Sequence, residues 1–91
     1  ENVFPQEVED LIASMTGVAE CAVVGAPDDE FGQRLVAHVV KKPKAKITEA
    51  KIRDAIKANL ARHKVPRDVH FIDALPRNAT GKILRRELRG N

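Results

Sequence analysis

The sequence predicts an α+β domain: a small, mostly antiparallel sheet of about three strands flanked by helices. Three observations carry that expectation. Apolar residues recur at helical spacing near the start of the chain and again past its middle. Runs of small and β-branched residues, each of strand length, lie between and after them. Pro and Gly punctuation separates the segments. The 91 residues amount to one domain, 1–91, with one modest core.

The first element reads as a helix. Pro5 suits a first helical position, where its missing N–H costs nothing. Phe4, Val8, Leu11, Ile12 and Met15 make one apolar stripe. Glu7, Glu9 and Asp10 lie towards its N-terminal end, where carboxylates suit the helix dipole, and Gly17 closes it. Val18 to Ala26 reads as a buried strand, and Pro27-Asp28-Asp29 as a turn. Gln33 to Lys41 is the second strand. Its Leu35, Ala37 and Val39 alternate with Val36, His38 and Val40, so both faces are expected to be covered. A polar loop follows, with Pro43 inside it.

Thr48 is placed to cap a second helix, with Ile52, Ala55, Ile56 and Leu60 as its buried stripe and Lys51, Arg53, Asp54 and Lys57 facing water. Pro66 stops that pattern. Val69 to Ile72 is a short third strand, and Leu75 to Gly81 a loop punctuated by Pro76, Asn78 and Gly81. Ile83 to Arg89 is expected to form a short final helix. No repeat or low-complexity segment interrupts this order.

Composition narrows the function. Apolar residues make up 43% and charged residues 32%, which fits a folded chain. With no Trp or Tyr and three Phe, there are few platforms for stacking bases, so no nucleic-acid partner is expected. Sixteen basic and 13 acidic residues leave a net charge of +3, much of it in Lys82, Arg85, Arg86 and Arg89. Three readings compete for that cluster: a solvated helix face, the commonest; a site for an anionic ligand; and a nucleic-acid patch. Cys21 is the sole cysteine, so no internal disulfide forms and nothing suggests an oxidising compartment; a cytoplasmic setting is expected, with attachment to a membrane surface through a part outside residues 1–91 as the alternative. No apolar run reaches membrane-spanning length, and no signal peptide is visible. The chain starts with Glu1 rather than Met, directly at helix-forming sequence, so a piece of a longer protein is expected.

The chemistry concentrates in Leu75-Pro76-Arg77-Asn78-Ala79-Thr80-Gly81-Lys82-Ile83-Leu84-Arg85-Arg86-Glu87-Leu88. A lysine at the start of a helix is disfavoured by the dipole, so its presence there invites an anionic partner such as a phosphate. A P-loop is excluded, because Pro76 holds the place of its first glycine and Ile83 that of its hydroxyl residue. Asn78-Ala79-Thr80 matches the glycosylation sequon, with nothing else pointing to secretion.

This segment resembles the C-terminal signature of the adenylate-forming superfamily, Leu-Pro-(Arg/Lys)-x-x-x-Gly-Lys-(Ile/Val)-x-(Arg/Lys)-x-x-Leu, and meets every fixed position. The superfamily includes acyl-CoA synthetases, peptide-synthetase adenylation domains and luciferases. Glu1 to Glu9 resembles the signature that follows the hinge in those enzymes. Val24 to Gly32 and His63-Lys64-Val65-Pro66 resemble the landmarks between the two. Singly, each motif has a bland explanation as a helix start, a core plug or a surface lysine; it is their joint order that carries the resemblance.

The resemblance implies the small C-terminal domain of an acyl-CoA synthetase acting on a fatty acid, partnered by its own N-terminal adenylation domain, which is absent here with the hinge. A carboxylic acid, ATP and CoA are the implied substrates, with Mg2+ bound outside residues 1–91. Lys82 takes the position of the catalytic lysine of acyl-adenylate formation, and Thr80 and Gly81 shape the loop that delivers it. Glu1, Asn2, Phe31, His63 and Lys64 fall where CoA-using relatives line the CoA tunnel, though His63 departs from the usual Tyr or Phe. Lys64 and Arg67 are also candidates for CoA phosphates, beside their reading as plain surface cations. A lysine acetyltransferase and deacetylase acting on Lys82 are implied as regulators. The alternatives are an acyl-AMP ligase or peptide-synthetase-type domain that hands its acyl group to a carrier protein, and a basic binding module with no enzymatic role.

Overall fold

The computed structural model describes residues 5–30 and 32–89. Helix α1 spans Pro5–Ala13, strand β1 Val18–Asp28, strand β2 Gly32–Lys41, helix α2 Glu49–Asn59 and strand β3 Asp68–Phe71. Single 3-10 turns at Arg62–Lys64 and Arg85–Leu88 complete the order. The sheet runs β1-β2-β3. β1 and β2 pair antiparallel over their whole length, with Val23 opposite Ala37, whereas β2 and β3 are parallel, with His38 opposite His70. The sheet is therefore mixed, its longer pairing antiparallel. The parallel step follows from α2, which carries the chain back across the sheet before β3 begins.

The alternation in β2 holds. Cys21, Val23, Leu35, Ala37 and Val39 face the two helices and pack with Val8, Ile12, Ile47, Ile52 and Ile56. Ala22, Val24, Ala26 and Val36 face the other way, beneath Leu75 and Leu88, with Ile72 and Ile83 at the margin. Both faces are covered, but by different means: two helices on one, an irregular C-terminal segment on the other.

Local chemistry explains the joints. Gly17, at φ 94°, turns the chain from α1 into β1, and a Cβ there would stand 3.2 Å from that of Ala45. Thr48 caps α2, its hydroxyl accepting the Lys51 N–H at 3.2 Å. The strands run further than the turn residues suggest, to Asp28 and from Gly32. Pro27 is tolerated inside β1 because it lies on the free edge of the sheet, where no ladder bond needs its N–H.

Two local expectations change. Arg53 does not simply face water: its guanidinium donates to the Pro66 and Arg67 carbonyls and pairs with Glu49, tying α2 to the start of β3. The final helix expected over Ile83 to Arg89 is only the 3-10 turn Arg85–Leu88. Ile83 bridges back to Arg77, and the Leu84 N–H donates to the Pro76 carbonyl at 2.9 Å. These bonds hold the first residues of the expected helix extended, and one turn alone is too short to nucleate an α-helix.

Candidate functional site around Lys82

Lys82 sits on the second arm of a tight hairpin rather than at a helix start. The Asn78 N–H donates to the Lys82 carbonyl, and the Gly81 N–H donates to the Asn78 carbonyl, each at 3.0 Å. Gly81 is left-handed at φ 89°. This is a type I turn closed by a glycine bulge, a common three-residue hairpin connection. Space does not demand the glycine, since a Cβ would meet nothing within 4 Å. The left-handed backbone demands it.

The hairpin is held from inside by Asn78. Its side-chain oxygen accepts from the Thr80 N–H at 3.0 Å, the Thr80 hydroxyl at 2.8 Å and the Lys82 N–H at 3.0 Å. One amide oxygen thus fixes the backbone on both sides of Gly81. Sequence reasoning treated Asn78 as punctuation. The available signal was its spacing: Asn at the first turn position and Gly at the fourth is a type I turn preference.

Two guanidinium groups fasten the hairpin to the body of the domain. Arg77 donates to the Gly81 carbonyl at 2.6 Å and pairs with Glu20 of β1. Arg85, just beyond the second arm, forks onto Glu9 of α1 at 2.8 and 3.1 Å. The Glu9 side chain is only 11% exposed, and it also accepts the Val23 N–H at 2.8 Å. Arg85 approaches the Val23 carbonyl at 3.4 Å. Burial alone would push the Glu9 carboxyl up. The Arg85 hydrogen bond, the Val23 N–H, the Arg85 charge and Gln6 outweigh it and hold the group below its ordinary value. The hydrogen bond to Glu9 in turn raises Arg85. The sequence did not pair the two: Glu9 looked like one more helix-start carboxylate, and Arg85 like one member of the basic cluster.

The basic cluster is thereby divided. Arg85 is committed to Glu9. Lys82 and Arg86 are exposed along one open groove with Asn78 and Glu87. Among the described residues the Lys82 ammonium has no hydrogen-bond or ion-pair partner. Cys21, buried near Glu9, is pushed up to about 12, mainly by burial and further by the Glu9 charge, and stays a thiol at neutral pH. No cluster of three His, Cys, Asp or Glu suited to a metal ion occurs among the described residues.

The other candidate residues stand apart from this hairpin. Glu1, Asn2 and Phe31, like Phe4 of the apolar stripe, lie outside the described residues. His63 and Lys64 occupy the 3-10 turn between α2 and β3, and the Lys64 ammonium grips both Glu7 oxygens at 2.9 Å. Arg67 pairs with Asp28. Thr80, Gly81 and Lys82 are brought together by Asn78, whereas Lys64 is engaged with Glu7 on a separate turn.

Residues 7–82 match the family described as the AMP-binding enzyme C-terminal domain. The chain belongs to that family. The AMP-binding C-terminal domain is 47% identical over 88 residues to 3-[(3aS,4S,7aS)-7a-methyl-1,5-dioxo-octahydro-1H-inden-4-yl]propanoyl:CoA ligase of Rhodococcus jostii (strain RHA1), covering 97% of this chain and 17% of that one. It is 45% identical over 89 residues to the fatty acid–[acyl-carrier-protein] ligase ScoC of Streptomyces coeruleorubidus, covering 98% and 17%. Among solved structures, ATP-bound MatB from Rhodopseudomonas palustris superposes with a TM-score of 0.94 at 42% identity, covering 98% of this chain and 18% of that one. The chain thus spans less than a fifth of the length of the curated relatives it matches. No helix among the described residues is long and apolar enough to cross a membrane.

Proposed function

We propose that this chain is the C-terminal domain of an acid–thiol ligase that activates a carboxylic acid with ATP and transfers the acyl group to CoA, and that Lys82 serves the first step. The observation that carries the proposal is the Lys82 ammonium: exposed, unpaired among the described residues, and presented on a hairpin locked by Asn78. A stabilising charge is most effective when its support is already fixed. In the first step a carboxylate oxygen attacks the α-phosphorus of ATP, the bridge to the β-phosphate breaks, and pyrophosphate leaves. An ammonium between the carboxylate and α-phosphate oxygens offsets the charge gathering there and holds the reactants together. In the second step the CoA sulfur attacks the acyl carbonyl, its proton passes to solvent, and AMP leaves.

ATP, its Mg2+ and the acyl chain would be held mainly by an N-terminal domain, with Glu1, Asn2, Phe31, His63 and Lys64 facing the CoA tunnel. In that role Lys64 would exchange Glu7 for a CoA phosphate. A fatty acid is one candidate substrate. The bicyclic propanoyl:CoA ligase and the fatty acid ligase among the relatives leave the acid class open, and the latter supports carrier protein as the second acceptor. Acetylation of Lys82 would delete the charge and act on the same step.

The test separates the half-reactions in the full-length enzyme. Lys82→Ala is expected to slow pyrophosphate release from acid and ATP by roughly 10²–10³-fold. Thioester formation from supplied acyl-adenylate should change far less. Equal losses in both steps, or none in either, would sink the role given to Lys82. CoA and a phosphopantetheinylated carrier offered side by side decide the acceptor.

A further inference from the structure

The Lys82 hairpin has two anchors of unequal strength. Arg77 and Glu20 are each about 40% exposed, at 42% and 41%, so their pair is screened by water and contributes little. Arg85 is about as exposed as Arg77, at 40%, but its partner Glu9 is only 11% exposed. The fork is bidentate, Glu9 is nearly buried, and the pair closes around the free edge of β1. There it occupies the Val23 N–H and approaches the Val23 carbonyl, two backbone groups with no strand partner on that side. Arg85 lies three residues beyond Lys82 on the irregular layer, and Glu9 belongs to the helix on the opposite layer. Arg85–Glu9 is the hairpin's link to α1 among the described residues.

We propose that Arg85 and Glu9 are positioning residues for Lys82, fixing the hairpin to α1 so that the ammonium arrives at the reacting phosphate in one geometry. This rests on the role given to Lys82 above. Neither group touches substrate; they act through the direction in which the hairpin points. A misplacement on the order of 1 Å can cost about 100-fold in a reaction that depends on alignment.

The experiment uses the full-length ligase and measures pyrophosphate release from acid and ATP beside thioester formation from preformed adenylate, with thermal unfolding of each variant. Arg85→Ala is expected to slow the first step at least about tenfold through kcat, with the KM for ATP little changed and the second step within about twofold of the parent. Arg85→Lys keeps the charge but not the fork, so it should recover part of the loss. Glu20→Ala, which removes only the exposed pair and leaves the Arg77 bond to the Gly81 carbonyl, should change neither step by more than about twofold. Should Arg85→Ala fail to fold, Glu9→Gln carries the test, because its carbonyl oxygen still accepts the Val23 N–H while the charge opposite Arg85 is gone. Equal slowing of both steps would mark the pair as merely structural and overturn the proposal. A selective loss in Lys82→Ala with none in Arg85→Ala or Glu9→Gln would overturn it while leaving the role of Lys82 intact. No selective loss in Lys82→Ala would overturn both.

Discussion

Asn78 shows how much one exposed side chain can set. Its oxygen accepts three bonds within five residues of chain, and all three converge on the segment that carries Lys82. Because Asn78 is exposed, water can replace those bonds, so Asn78→Ala should cost only about 1 kcal/mol of stability. Under the role proposed for Lys82, the cost to chemistry should be larger, since the lysine loses its fixed direction. Pyrophosphate release should slow by about tenfold while the melting temperature stays within a few degrees of the parent. A normal rate in Asn78→Ala, beside a normal melting curve, would show that the turn does not aim the lysine. Gly81→Ala should behave similarly, with about 1–2 kcal/mol of left-handed backbone strain added.

The C-terminal segment was the hardest element to read from sequence. Ile83, Leu84 and Leu88 have helical spacing, and that local pattern was outweighed by partners far away in the chain. Ile83 and Leu88 pack on the small residues of β1 and β2, and Arg85 reaches back to α1. The layer has no ladder of its own, so it depends on few apolar contacts. Leu88, 7% exposed, is the chief one at its end. Leu88→Ala should destabilise by about 2–3 kcal/mol. It should also speed hydrogen exchange at the Asn78, Gly81 and Leu84 amides, which close the hairpin, well before those of β2. Uniform acceleration across the sheet would show that the segment and the sheet open as one unit. By contrast, β2 and α2 were legible, because alternation along β2 and the Thr48 cap are local signals that their tertiary settings reinforce. Glu9 was not, since what distinguishes it from Glu7 is the burial of one face of α1, which only the assembled sheet reveals.

Two titrating groups, half-buried His38 and buried Glu9, join the layers, and both make the domain sensitive to acid. His38 lies under the final turn, its Nε2–H donating to the Leu88 carbonyl at 2.8 Å, with the His70 ring centred 5.4 Å away. Burial lowers its pKa, the Leu88 bond opposes this, and His70 adds to the lowering. As pH falls through 6.5 the unfolded chain binds a proton that folded His38 still refuses, so stability drops until the folded group titrates too. Glu9 repeats the effect lower down. Its stabilisation is complete above the ordinary carboxylate value of 4.5 and is lost as pH falls through the depressed folded value. Melting temperatures of this chain should therefore fall in two stages on acidification. His38→Gln should remove the upper stage and Glu9→Gln the lower. A single stage that neither substitution alters would place the acid-sensitive groups elsewhere.

The same helix that carries Glu9 is held on its other flank as well. Glu7 reaches Lys64 of the turn after α2, and Glu9 reaches Arg85 of the segment after the Lys82 hairpin. Two residues apart on a helix are about 200° apart around its axis, so these ties pull from nearly opposite sides. A rod gripped in that way cannot roll without releasing one grip. The Lys82 hairpin and the His63-Lys64 turn are therefore set in angle to one another through α1, two spokes on a single axle.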